Sequence, residues 1–148
     1  MSLEIIISDA IKDAMRAKDK IALDALRAVK SQILLVKTEA KDADVSAEQE
    51  IAILQRMIKQ RKDSFDQFTA QNRSDLAAVE QAQSTIIEKF LPQQLSTEEL
   101  ESEIKKIISQ TGAESAKDLG KVMGMASKAL AGKSDGKSIS DMAKKLLS

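Results

Sequence analysis

Residues 117–130, KDLGKVMGMASKAL, followed by 131–138, AGKSDGKS, are the stretch from which the rest of the chain can be read. Placed at 100° per residue, the first segment divides into two faces. Leu119, Val122, Met123, Ala126 and Leu130 fall on one side, and Lys117, Lys121, Gly124 and Lys128 on the other. The period predicts an amphipathic helix. A glycine inside a helix costs about 0.8–1 kcal/mol against alanine, so Gly124 on a lysine face asks for a reason. Either Gly120 and Gly124 let a neighbouring helix pack closely, or the missing side chain lets backbone approach an anionic partner whose phosphates meet the lysines.

The turn that follows contains GKS twice, at 132–134 and 136–138. A phosphate-cradling loop needs a further glycine five residues before the one preceding lysine, and a strand ahead of it. Ser127 and Ala131 occupy those positions within a helical pattern, so that reading is rejected. What is expected instead is a glycine-shaped turn, with positive φ at Gly132 and Gly136, that presents Lys133 and Lys137 beside Lys121. A plain helix connector with solvated lysines is the competing reading. Asp135 is expected to order the turn by accepting backbone N–H bonds. Ser138 with Asp141 is expected to cap a last helix whose Ile139, Met142, Ala143 and Leu146 face inward.

Working outward, the first 111 residues hold no glycine and the chain holds one proline, Pro92. Without alternating β-branched runs, such a stretch reads as helices joined by polar turns. Helices are expected near 3–17, from Ala22 to Val36, over 47–70, and from 72–75 to Phe90. KDADVS (41–46) closes the second, and Ser46 with Gln49 forms a capping box for the third. Ser96 with Glu99 is a second capping box, and Leu95 with Leu100 is its hydrophobic staple. That helix runs to about Gln110, with Leu100, Ile104, Ile107 and Ile108 inward and Gly112 closing it. The expected architecture is all-α and two-part. A bundle of about four helices spans 1–91, 92–96 is a linker, and a three-helix bundle spans 97–148.

On the third helix the apolar stripe is Ile51, Leu54, Ile58, Arg61, Phe65 and Phe68, with Arg61 in its middle. A guanidinium drawn towards a core needs a partner. Glu80 and Gln83 lie at comparable distance beyond the next turn, so a clasp from Arg61 to Glu80 or to Gln83 is expected to set the hairpin's register.

Composition narrows the function. The formal net charge is zero, yet residues 1–91 carry 14 basic and 15 acidic side chains, 92–116 carry 2 and 5, and 117–148 carry 7 and 3. Positive charge is concentrated in the last segment, which suits a selective polyanion contact. There is no cysteine and no histidine, which removes thiolate chemistry, the usual zinc sites and imidazole acid–base catalysis. Acidic pairs such as Glu98–Glu99 and Asp63 with Asp66 lie at helix starts or on polar faces, with no nucleophile beside them. No catalytic residue, metal or cofactor is expected. Leu3–Ile7 is a short apolar run without a basic leader and no stretch reaches spanning length, so the expectation is a cytoplasmic protein without membrane partners. The only aromatic residues are three phenylalanines, which argues against a base-stacking platform.

The motifs LRAVKS (26–31), LQRMIKQRKDSFDQF (54–68), NRSDLA…FLPQQLS (72–96) and DLGKVMG…GKSDGK (118–137) together resemble the GatB/YqeY family. Nearly the whole chain is covered, and it looks like a stand-alone member. The resemblance implies an all-α fold of an N-terminal helical bundle and a C-terminal three-helix bundle. It also implies kinship with the C-terminal tail of the B subunit of glutamine-dependent tRNA amidotransferase, a region implicated in engaging tRNA. The family's GKVMG and glycine-rich turn map onto Gly120, Lys121, Val122, Met123 and Gly124, then Gly132, Lys133, Asp135 and Gly136. Relatives often carry arginine where Lys133 stands; lysine keeps the charge but not bidentate phosphate recognition. The resemblance further brings the label of a carbon–nitrogen ligase with glutamine as amido-N-donor. The kinase-like and amidase parts that perform that reaction have no counterpart here.

Three functions follow as expectations. The first is a non-catalytic adapter that contacts structured RNA, tRNA foremost, through Lys117, Lys121, Lys128, Lys133 and Lys137, with Gly124 allowing close approach. The second is a protein-interaction module docking on an aminoacyl-tRNA synthetase or amidotransferase component. The third is the ligase activity itself.

Overall fold

Every glycine lies beyond residue 111, and the computed structural model shows what that distribution produces. It describes residues 2–41 and 44–148, and the secondary structure among them is helical throughout. Of the expected 41–46 closure of the second helix, Asp42 and Ala43 lie outside the described residues. The helices are α1 (Leu3–Ala17), α2 (Lys20–Glu39), α3 (Ala47–Ala70), α4 (Ser74–Glu88), α5 (Thr97–Thr111), α6 (Leu119–Ala129) and α7 (Gly136–Leu147), with a single 3₁₀ turn at Ala116–Asp118. The chain divides into two units, Met1–Leu91 and Pro92–Ser148.

In the first unit, short polar turns force antiparallel neighbours. α1 packs on α2, α2 on α3 and α4, and α3 on α4. Ile7, Ala25, Val29, Ile33, Leu54 and Ile87 form the centre of its core. The start of α1 is tied down twice. The Leu3 N–H donates to Glu50 on α3 at 2.6 Å, and Glu4 pairs with Lys37 on α2 at 3.3 Å. The stripe of α3 is rotated from its expected setting: Ile53, Leu54, Met57 and Ile58 are buried, whereas Ile51 is only half-buried. Both α2 and α4 press on this helix, so its buried face is wider than a single 3.6-residue stripe.

Arg61 lies at the edge of that face. Its Nε donates to Gln83 Oε1 at 3.2 Å and its terminal nitrogen to the Met57 carbonyl at 3.3 Å. Of the two expected partners, the geometry takes Gln83. Glu80 makes no ion pair within 4.0 Å among the described residues and acts on Arg61 only as a nearby charge. Burial pushes the guanidinium below its ordinary value, and Glu80 pulls it partly back. The next residue, Lys62, pairs with Glu88 at 3.4 Å across the same hairpin.

The second unit is a three-helix bundle in which α5, α6 and α7 each touch the other two. Leu100, Ile104, Val122, Ala126, Ile139 and Ala143 line its centre, and Ile104, Val122 and Ala126 are fully buried. Fully burying a side chain the size of Ile104 or Val122 stabilises by about 1.5–3 kcal/mol. The capping box of Ser96 and Glu99 is formed in both directions, and Gly112 closes α5 in the left-handed region. Residues 92–96, expected as a linker, bond to this unit: the Leu95 N–H donates to the Lys133 carbonyl at 2.9 Å, and the Gln94 amide donates to the Gly132 carbonyl.

Candidate nucleic-acid interface

α6 owes its form to the apolar spacing of Leu119, Val122, Met123 and Ala126, which it turns to the core. Its opposite face carries Lys121, Gly124, Met125 and Lys128, all exposed. Gly124 is also free of neighbours: a Cβ added there, or at Gly120, would meet nothing within 4 Å. The close-packing explanation for these two glycines therefore fails. Among the described residues no helix lies against them, and the helix-propensity cost of Gly124 is left without a packing return.

Lys117 departs from the expected register. It belongs to the 3₁₀ turn Ala116–Asp118 rather than to α6, because Ser115 accepts from the Lys117 N–H and Asp118 Oδ2 from the Glu114 N–H. These side-chain bonds compete with the α-helical pattern and delay the helix to Leu119. The side chain is nevertheless exposed, immediately ahead of the Lys121 face.

The turn between α6 and α7 is held from both sides. Gly132 has φ +78°, a left-handed backbone, and is buried. Its carbonyl and that of Lys133 receive the bonds from Gln94 and Leu95, and the Lys133 N–H donates to the Leu130 carbonyl at 3.0 Å. Asp135 Oδ1 accepts from the Ser138 N–H at 2.6 Å. Two expectations are corrected by this geometry. Gly136 does not have positive φ; it is the first residue of α7. The cap of α7 is Asp135, not Ser138 with Asp141, because a carboxylate three residues past the left-handed Gly132 already satisfies the orphan N–H of Ser138. The result is a hydrogen-bonded turn that leaves Lys133, and Lys137 at the start of α7, exposed.

Electrostatically the bundle is divided. Both lysines of α5 are engaged by acids of their own helix, Lys105 with Glu101 at 3.3 Å and Lys106 with Glu103 at 3.4 Å. Among the described residues, Lys117, Lys121, Lys128, Lys133 and Lys137 have no carboxylate within 4.0 Å, and neither do Lys144 and Lys145 of α7. The last two were missed in the sequence reading. Lys144 follows Lys137 by seven residues, a spacing that returns to the same side of a helix and is a usable signal. The brace from Gln94 and Leu95 carries no sequence signal. Among the described residues, no three acidic side chains gather into a metal-binding group. Nor, among the described residues, is any helix long and apolar enough to cross a membrane.

Two helical units, one of them a bundle with its free cations on α6, α7 and the turn between them, define an all-α protein of polar surface chemistry. The chain belongs to the YqeY-like protein family, whose model matches residues 5–147. It is similar to altered inheritance of mitochondria protein 41, mitochondrial, of Saccharomyces cerevisiae, at 33% identity over 100 residues, 66% of this chain and 54% of the relative. The protein of the same name from Clavispora lusitaniae is 32% identical over 109 residues, 72% of this chain and 62% of the relative. That from Vanderwaltozyma polyspora is 30% identical over 101 residues, 67% and 55%. The chain thus spans about half the length of the curated relatives it matches.

Proposed function

We propose that this protein is a non-catalytic helical adapter that contacts structured RNA, tRNA foremost, through the α6 face and the turn to α7. The observation that carries the reading is the set of five lysines at 117, 121, 128, 133 and 137. All are exposed and, among the described residues, without a carboxylate within 4.0 Å, and Gly124, which shares α6 with Lys121 and Lys128, has room for a Cβ with nothing within 4 Å. Phosphates are the ligands such a surface suits, and the open backbone at Gly124 lets a broad anionic surface come near. The proposed setting is the cytoplasm; the yeast relatives are mitochondrial by name.

The test is a titration of tRNA at several salt concentrations with the wild type and with a Lys121→Glu/Lys133→Glu variant. Contacts to about five phosphates give a log–log salt slope of roughly −3.5 to −4.5, and the double reversal flattens it by about 2. Binding that ignores both salt and charge reversal removes the proposal.

A second reading, docking on a protein partner such as a synthetase or amidotransferase component, draws on a different observation. Among the described residues, seven of the eight exposed large apolar side chains belong to the first unit, Ile5, Ile6, Met15, Ile21, Leu34, Leu35 and Val79, the eighth being Met125 on α6. It requires a partner retained after nuclease treatment and indifferent to the lysine changes.

A further inference from the structure

Within the second unit, the groove between the start of α5 and the outer side of α7 contains a cavity of about 310 Å³. That lies at the small end of ligand pockets, which run from roughly 300 to 1,000 Å³, and leaves room for one base with its ribose. Leu100 and Met142 supply apolar lining, while Ser134, Ser138, Asp141 and Lys145 supply polar groups. We infer that this cavity takes a single unstacked nucleotide of the bound RNA, with preference for guanine, an assignment that rests on the RNA reading of the neighbouring lysines.

The position argues first. Ser134 and Ser138 directly follow Lys133 and Lys137 in the chain, so the mouth of the cavity adjoins the lysine turn. A strand whose phosphates lie on those two lysines brings its next nucleotide to the opening. Unstacked nucleotides are also the part of RNA from which proteins read sequence.

The chemistry argues second. Asp141 has no cation within 4.0 Å and no hydrogen-bond donor among the described residues, although Lys137 and Lys145 lie four residues to either side of it. A carboxylate repels phosphate, so a ligand made of phosphate alone does not suit this wall. It accepts from N–H groups on base edges, and guanine offers two adjacent ones at N1 and N2. Lys145, one turn away, meets the nucleotide's own phosphate. Leu100 and Met142 contact the base face, a role that aromatic side chains fill elsewhere and that this unit, with no aromatic residue, gives to aliphatic ones.

The experiment compares two RNAs that differ by a single nucleotide, a fully paired duplex and the same helix with one bulged guanosine, on the full chain. The variants are wild type, Asp141→Asn and Ser138→Phe, each checked for folding by its melting curve. The expected result is about a tenfold preference of the wild type for the bulged RNA, lost in both variants, with duplex binding unchanged. Equal binding of both RNAs by the wild type, or a preference that survives both substitutions, overturns the pocket while leaving the lysine surface intact. Failure of both RNAs to bind overturns the RNA reading and the pocket together. A direct arm adds guanosine 5′-monophosphate at millimolar concentration and follows backbone amide shifts. Shifts gathered at Ser134, Ser138 and Asp141 support the site, and their absence speaks against it independently of any RNA.

Discussion

Replacing Gly124 by alanine separates folding from function at one atom. The residue is in the middle of α6, exposed, with no heavy atom within 4 Å of where the new Cβ would stand. Nothing has to move, so the helix-propensity difference of about 0.8–1 kcal/mol appears in full as added stability. For a unit of this size that corresponds to about 4–8 °C in melting temperature. The sharper readout is native-state hydrogen exchange at Val122 and Ala126, whose amides are in the same helix: protection rises about four- to fivefold. Gly124→Leu raises stability as well, since leucine is nearly as good a helix former as alanine. If Gly124 is kept for close approach of an RNA, the two variants weaken tRNA binding in order of size while they stabilise the fold. The alanine loss is on the scale of one neutral contact, about two- to tenfold in Kd. A lower melting temperature for Gly124→Ala refutes the exposed geometry. A higher melting temperature with unchanged tRNA affinity in both variants refutes the interface role of the glycine.

Gly132→Ala has the opposite sign. With φ at +78° and a buried backbone, it costs about 1–2 kcal/mol, read as a lower melting temperature, and loosens the turn that presents Lys133. Asp135→Ala removes the cap of α7 and costs about 1 kcal/mol in a urea melt, whereas Ser138→Ala at the previously expected cap position costs far less. Gln83→Ala takes away the Nε partner of the half-buried Arg61 and lowers the stability read from a urea melt by about 1 kcal/mol, while Arg61→Met is nearly neutral because no half-buried guanidinium is then left to satisfy. The Asp75 carboxyl, hydrogen-bonded by Arg73, titrates below the usual carboxylate range; Arg73→Ala returns it upward in a carbon-detected pH titration. Because the folded value is the lower one, the small stabilisation from this exposed pair is present above the ordinary aspartate range and fades as pH falls through it. Purified protein given glutamine, ATP and misacylated tRNA is expected to leave the aminoacyl group unchanged, and conversion would restore the ligase reading.

Much of the fold was legible because helices advertise themselves locally. The absence of glycine from the first 111 residues, the 3.6-residue spacing of Leu100, Ile104 and Ile107, and the reciprocal caps of Ser46–Gln49 and Ser96–Glu99 each act within one or two turns. Such interactions have nearly the same energy whatever surrounds them. The lysine face of α6 was readable for the same reason, since angular position follows from spacing alone.

What stands opposite a face is not a local property. Spacing placed Gly124 away from Val122 and Ala126 but left open whether a helix covered it; only the packing of α5 and α7 on the other side leaves it bare. Arg61 had two partners at similar reach, and the rotation of α3 between α2 and α4 chose Gln83. Asp135 and Ser138 are both good capping residues, and the left-handed backbone at Gly132 decided which one starts α7. The sequence by itself determined the helices, those ends that carry a reciprocal cap, and the side of each that seeks a core. Tertiary structure decided contacts between elements distant in the chain, because those depend on how several buried faces fill space at once.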